Sequence, residues 1–413
     1  MDTEPMTFNN PAEIALEMSE LLSIARDATH IRPPLFLSSI FGLPWTWLPP
    51  YQRLSEFKII DLWRLPRTIE YFLNISIPSI PLNPPSYGPP FFNGLFWRPT
   101  IILQRPDHNG SYTSFPDEAW FFINGILTND SVAQINAALI ADLFHRPITI
   151  IQNTTSSFLT DMLECVLGKQ WHRTTEAVEK AFPPIHEALK SHKKKVVVIA
   201  HSQGTIILSI VLDLLKQLTA PGEPSRRTGS EVPPEEEGIQ PEISSELPLA
   251  MGFAVGGIAE PEFLYPYEGP LQINEFERLS EEELAKLEIY CFANCANQMT
   301  YFSDPGIGLD PVPWIESYGN EQDIVARLGM LAPNPSERKI TIHGARYLRP
   351  GAWGHLLNEH YLLPIQAAQR VGRKKGGKGG AQPFVQIEGE LQPSTQTPRL
   401  YEYINGGSPP EEN

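Results

Sequence analysis

Val196-Val197-Val198-Ile199-Ala200-His201-Ser202-Gln203-Gly204-Thr205 is the stretch that decides the fold. Five apolar residues in a row read as a strand buried on both faces, the habit of strands inside a parallel sheet. Ile206, Ile207, Ile210, Val211, Leu214 and Leu218 then recur at three- and four-residue spacing, which predicts an amphipathic helix over Thr205 to Leu218. Strand and helix meet almost without a linker, so the chain must turn abruptly at Ser202. Ala200 and Gly204, two residues to either side, are small enough for helix and strand to approach closely. Such a bend pushes the serine out at the strand's C-terminal end, its Oγ exposed and the helix N-terminus beneath it. The Gln203 N–H then points to where a carbonyl oxygen would gain negative charge. A bare Gly/Ala-x-Ser-x-Gly match arises by chance about 0.3 times in a chain this long, so the strand before and the helix after carry the weight.

Working outward, Thr100 to Gln104, Ala119 to Ile123 and Ile148 to Gln152 read as strands, with Ser131 to Phe144 a helix between the last two. Helical stretches follow around Leu159 to Leu167 and Thr174 to Ser191, the second broken near Pro183-Pro184. Ser280 to Lys286 is a short helix with Ser280 and Glu283 in capping-box spacing. Glu288 to Ala293, Pro313 to Tyr318 and Ile340 to Gly344 read as further strands, and a helix follows from about His355 to Gln369. Strands alternating with helices argue for an α/β fold, a mostly parallel sheet flanked by helices.

Three regions stand apart. Residues 1–95 form an irregular arm rich in proline and aromatics, expected to pack on the core through short helices. Proline makes up 41 of the 413 residues, about twice the usual share, with the excess concentrated before residue 120. Residues 220–246 form an acidic low-complexity loop, and 249–287, with Phe253, Phe263, Leu264 and Tyr265, are a candidate lid. Residues 370–413 read as a disordered tail opening on Arg370, Arg373, Lys374, Lys375 and Lys378. The core is expected over 96–369.

Charge and composition narrow the function. With 32 Lys and Arg against 48 Asp and Glu, the formal charge is −16; such a surface repels phosphate backbones, which disfavours nucleic acid. Hydrophobic residues at 41% support a substantial core. Cys165, Cys291 and Cys295 build neither a disulfide framework nor a zinc pattern. Met1 to Glu20 carries five acids and no base, and Leu35 to Leu48 is too short to span a bilayer. The expectation is a soluble cytoplasmic protein, with the aromatic arm a candidate for peripheral membrane contact.

The bend at Ser202, with its flanking strand and helix, resembles the nucleophile elbow of the α/β-hydrolase superfamily, serine esterases and lipases in particular, over roughly Trp97 to Gln369. Ala200 stands where that family places its first elbow glycine. The resemblance implies a serine hydrolase acting on a small-molecule or lipid carboxylic ester through an acyl-enzyme, with no metal or organic cofactor. It requires a downstream base and acid, because a serine hydroxyl is a poor nucleophile until its proton is taken. His355, just after Pro350-Gly351 and at the start of a helix, lies where the family's base sits; His360 is the alternative. His343 reads as structural and His201 as support for the bend. Asp323, after the Gly319-Asn320 turn, matches the family's acid, with Glu316, Glu321 and Asp304 as alternatives. The second oxyanion donor is expected from the Ile126 N–H, after Asn124-Gly125, where the family often has His-Gly. Two other readings remain: a hydrolase-like scaffold that binds a partner without catalysis, and a peripheral membrane protein.

Overall fold

The computed structural model describes residues 33–60, 101–104, 115–125, 128–153, 176–219, 271–302, 312–333, 335–336, 339–374, 383–387 and 398–410. The expected helix at 159–167, the acidic loop 220–246, the lid aromatics, Cys165, Asp304 and Ile126 lie outside them.

In chain order the strands are β1 (Ile101–Gln104), β2 (Glu118–Ile123), β3 (Thr149–Asn153), β4 (Lys195–His201), β5 (Leu287–Phe292), β6 (Gln298–Met299), β7 (Trp314–Asn320), β8 (Thr341–Ile342), β9 (Ala345–Arg349) and β10 (Val385–Ile387). Eight of them form one sheet in the order β1-β3-β2-β4-β5-β7-β9-β10. The six inner strands run parallel, and β1 and β10 close the edges antiparallel. The helices are α1 (Pro33–Phe41), α2 (Asp130–Phe144), α3 (Glu176–Lys190), α4 (Gln203–Gln217), α5 (Glu281–Ala285), α6 (Leu363–Lys374) and α7 (Arg399–Glu402).

The side-chain alternation of β4 shows how the layers form. Val196, Val198 and Ala200 face a core shared with Phe182, Ile185 and Leu189 of α3 and Leu208, Val211 and Leu215 of α4. Val197 and Ile199 face the other way, toward Ala137, Ile140 and Phe144 of α2, Leu362 just before α6 and Ile365 within it. The sheet is thus covered on both faces, and the continuous apolar run of β4 follows from that burial.

Several elements depart from the sequence reading. Helix α3 is continuous through Pro183 and Pro184. Its buried stripe of Val178, Ala181, Phe182, Ile185 and Leu189, at about 1.5–3 kcal/mol for each large side chain, outweighs the two hydrogen bonds that proline removes. The strand expected at Ile340 to Gly344 is only the two-residue β8, paired with β6 in a separate ribbon, and the sheet strand is β9. The helix expected from His355 begins as a π-helical turn over Leu357–Leu362 before α6. Residues 271–287 are not a cover over the Ser202 end of the sheet. Leu279 donates its N–H to the Leu218 carbonyl, and the Lys286 carbonyl accepts from Val196, which places this segment at the opposite, N-terminal end of β4. Its helix α5 does carry the expected capping box of Ser280 and Glu283.

The tail, expected to be disordered, contains docked segments. Phe384, Leu400, Tyr401 and Tyr403 are buried. Arg399 pairs with Glu288 at 3.0 Å, the Tyr403 hydroxyl donates to Glu288 at 2.7 Å, and Arg146 donates to the Gly407 carbonyl at 2.9 Å. Averaging composition over the tail hides the closely spaced Leu400, Tyr401, Tyr403 and Ile404. Glu316 caps α7, accepting the N–H groups of Arg399 at 2.7 Å and Leu400 at 3.2 Å.

Burial pushes Glu316 up to about 7 from an ordinary value of 4.5, against the opposing pull of the Tyr318 hydroxyl and the backbone donors. The folded state therefore holds this proton more tightly than the unfolded chain. The associated stabilisation is complete below pH 4.5 and is lost as pH rises through about 7, an effect of about 3 kcal/mol. Glu316→Gln is expected to lose less stability between pH 5 and pH 8 than the wild type, measured by urea unfolding at each pH. An equal loss in both proteins would contradict it.

Candidate active site

The chain passes from β4 to α4 through one residue. Ser202 has φ 57° and ψ −127°, a region that costs a non-glycine residue about 1–3 kcal/mol. The bend is held from several sides. The Ser202 N–H donates to the Phe292 carbonyl at 2.9 Å, and its carbonyl accepts from the Thr205 N–H at 2.9 Å and hydroxyl at 2.7 Å. Gly204 is required by proximity, because a Cβ there would lie 2.4 Å from the Ile123 carbonyl oxygen. Gly125 runs against the serine itself, and a Cβ on it would sit 2.4 Å from Ser202 Cβ and 3.0 Å from Oγ. Ala200 is buried in the core, and its methyl is accommodated.

Ser202, His355 and Asp323 come together from three parts of the chain. His355 Nε2 lies 2.9 Å from Ser202 Oγ, and His355 Nδ1 lies 2.9 Å from Asp323 Oδ2. The carboxylate can only accept from Nδ1–H, which leaves Nε2 free to accept the serine proton. Asp323 also accepts from the Tyr361 hydroxyl at 2.6 Å and the Val325 N–H at 2.9 Å. Tyr361 escaped the sequence reading; its only signal is a tyrosine on the helix that follows the histidine. The three side chains are covered, with Ser202 only 1% exposed. The expectation of an exposed Oγ is therefore corrected: the bend delivers the serine to the C-terminal end of β4, but the side chain is buried there.

Two further histidines, His201 and His360, pack beside the site. His201 packs against His355 in a tilted arrangement with ring centroids 4.6 Å apart, and its Nε2–H donates to the His355 carbonyl at 2.9 Å. Burial, reinforced by the adjacent His355, drives its pKa far below the ordinary value, so His201 stays neutral. His360 Nδ1 accepts the Leu356 N–H at 2.9 Å. Burial, then His355 and Arg349, pushes its pKa down to about 3. Its ring fills the space where a Cβ on Gly354, at φ +101°, would clash at 2.5 Å. His343 accepts from the Tyr301 N–H in the separate ribbon region. Glu321 accepts from the Gly351 N–H, and Glu316 lies beneath α7, so neither reaches the histidine pair.

The loop after β2 is more than a turn. Asn124 donates to the Gly125 and Asn153 carbonyls at 2.8 and 2.7 Å and accepts from the Asn153 N–H at 2.8 Å. Asn153 in turn donates to the Gln203 side chain at 2.8 Å. Asn153, a polar residue closing an apolar strand, went unremarked in the sequence. Gln203 opens α4, where a backbone N–H has no partner within the helix. Ile126 follows Gly125 directly but lies outside the described residues.

Among the described residues, no group of three or more His, Cys, Asp or Glu side chains could hold a metal ion, and no helix is long and apolar enough to cross a membrane. No family model matches the chain, and neither a curated protein nor a solved structure matches it.

Proposed function

We propose that this protein is a serine-dependent carboxylic ester hydrolase of the α/β-hydrolase type. The observation that carries the reading is the unbroken relay from Asp323 through His355 to Ser202, set on a strained bend at the C-terminal end of the central strand. Ser202 Oγ attacks the acyl carbon while His355 Nε2 takes its proton. The carbonyl π electrons move to oxygen, where the Gln203 N–H receives the negative charge, with Ile126 the second donor that the resemblance implies. Collapse expels the alcohol, which leaves with the proton from His355. Water, deprotonated by the same imidazole, then attacks the acyl-enzyme and frees the acid. Asp323 stabilises the imidazolium in both halves, and Tyr361 and the Val325 N–H fix the carboxylate.

A hydrophobic ester fits best. Leu37, Trp45 and Leu48 are 47%, 67% and 54% exposed, and residues 33–52 contain no charged side chain. This stretch reaches the histidine loop through the Ile40 carbonyl, which accepts the His355 N–H, and it offers an apolar edge to an acyl chain or a neutral lipid surface. The burial of Ser202 favours a second reading, a binding protein on this scaffold without turnover, because a substrate reaches the hydroxyl only when its surroundings open.

One assay separates the readings. p-Nitrophenyl esters from acetate to laurate are offered to wild type and Ser202→Ala, with and without neutral phospholipid vesicles. We expect turnover that rises with chain length and with vesicles, and a loss of about 10⁴-fold or more in the variant. Equal rates for both proteins would overturn the reading, and no turnover in either would favour the binding protein.

A further inference from the structure

The loop that carries His355 is fastened largely by the N-terminal arm. The His355 N–H donates to the Ile40 carbonyl at 2.8 Å. The Asn358 and Glu359 N–H groups, orphans at the start of the π-helical turn, donate to the two carboxylate oxygens of Glu56 at 2.6 and 2.9 Å. The Asn358 side chain reaches back to the Leu54 carbonyl at 2.7 Å. Phe57 packs edge-on against the His360 ring at 6.1 Å, and Gly42 abuts the same ring. Of the five N–H groups donated by residues 355, 356, 358, 359 and 360, three end on the arm.

Glu56 is the unusual member. It is 1% exposed, and among the described residues it makes no ion pair. Burying a carboxylate without a cation is costly. Docking an arm does not demand it, because a neutral amide would satisfy one of the two N–H groups. Only a carboxylate accepts from both at once while complementing the positive end of the helix that follows. That helix carries Tyr361, which holds Asp323, and it leads directly from His355.

We propose that the arm is a working part of the active centre and that Glu56 is a positioning residue, clamping the 355–359 backbone so that the imidazole bridges Asp323 and Ser202. The inference rests on the ester-hydrolase reading. Glu56→Gln keeps one acceptor but turns an N–H donor toward the other backbone N–H, so the clamp is half broken. In the full-length protein we expect kcat to fall about 10- to 100-fold, with KM within about twofold, since Glu56 touches no substrate. The far-downfield proton resonance of His355 Nδ1–H should broaden or vanish in the same variant. Glu56→Asp, one methylene short, reaches one N–H only and should fall between. Ile60→Val, on the same arm and packed in the core, removes one methylene and none of the clamp's hydrogen bonds, and serves as the control: it should lower stability and leave kcat and the resonance unchanged.

A Glu56→Gln protein with wild-type kcat and an unchanged resonance would overturn the proposal. So would a loss of activity matched by Ile60→Val at equal loss of stability, which would reduce Glu56 to a docking contact. Failure of the hydrolase reading remains distinguishable: Ser202→Ala would then retain turnover, whereas the resonance would still report whether Glu56 holds His355 against Asp323.

Discussion

Asp323→Asn is expected to lower kcat for ester hydrolysis about 10⁴-fold with little change in the folded structure. The amide still offers an oxygen to the Val325 N–H, so the loop keeps its shape. Its NH2 group, however, faces His355 Nδ1, where the carboxylate accepted a hydrogen bond from Nδ1–H. The imidazole must then carry its proton on Nε2, the nitrogen 2.9 Å from Ser202 Oγ, and can no longer receive one from the serine. The negative charge that stabilises the imidazolium is lost as well. Steady-state kinetics on the preferred ester, with circular dichroism as the fold check, measure the effect; a loss below about tenfold would show that Asp323 is not the acid of the relay.

Gly204→Ala should also have a large effect, and its sign separates two physical accounts. Gly204 lies in the first turn of α4, and on helix propensity alone alanine would stabilise it by about 1 kcal/mol. The built Cβ, however, lies 2.4 Å from the Ile123 carbonyl oxygen and 2.8 Å from that of Asn124. Both are rigid backbone atoms of β2 and its loop, so α4 must move away. Overpacking of this kind costs about 1–3 kcal/mol, and the shift carries Ser202 and the Gln203 N–H out of line with His355. The expected outcome is a Tm lowered by several degrees together with loss of turnover; a raised Tm would show that helix and strand do not approach as described.

Much of the fold was legible because its strongest signals are local. The apolar run of β4 and the three- and four-residue spacing of α4 state their own burial, and the capping box at Ser280 and Glu283 is written in consecutive residues. Less visible were the features decided by distant partners. Pro183 and Pro184 signal a break locally, and the packing of Phe182, Ile185 and Leu189 overrides it. The tail's docking depends on Glu288 and Glu316, about a hundred residues earlier in the chain. Within the site, Ser202 follows from its own neighbourhood, whereas His355 and Asp323 came from a resemblance and a position in the order of elements. Tyr361, Asn153 and Glu56 have no local signature: a tyrosine on a helix, an amide ending a strand and a glutamate in an aromatic arm acquire meaning only from what they touch. The burial of Ser202 is not legible for a related reason, since the bend fixes where the serine sits but not how accessible it is.

The most direct test of the account is covalent. Full-length protein is treated with a fluorophosphonate, digested, and its peptides mapped by mass spectrometry. The account predicts one phosphonyl adduct, on Ser202, formed in the wild type and absent from Ser202→Ala. No adduct on Ser202 in the wild type, or the same labelling in the variant, would contradict it.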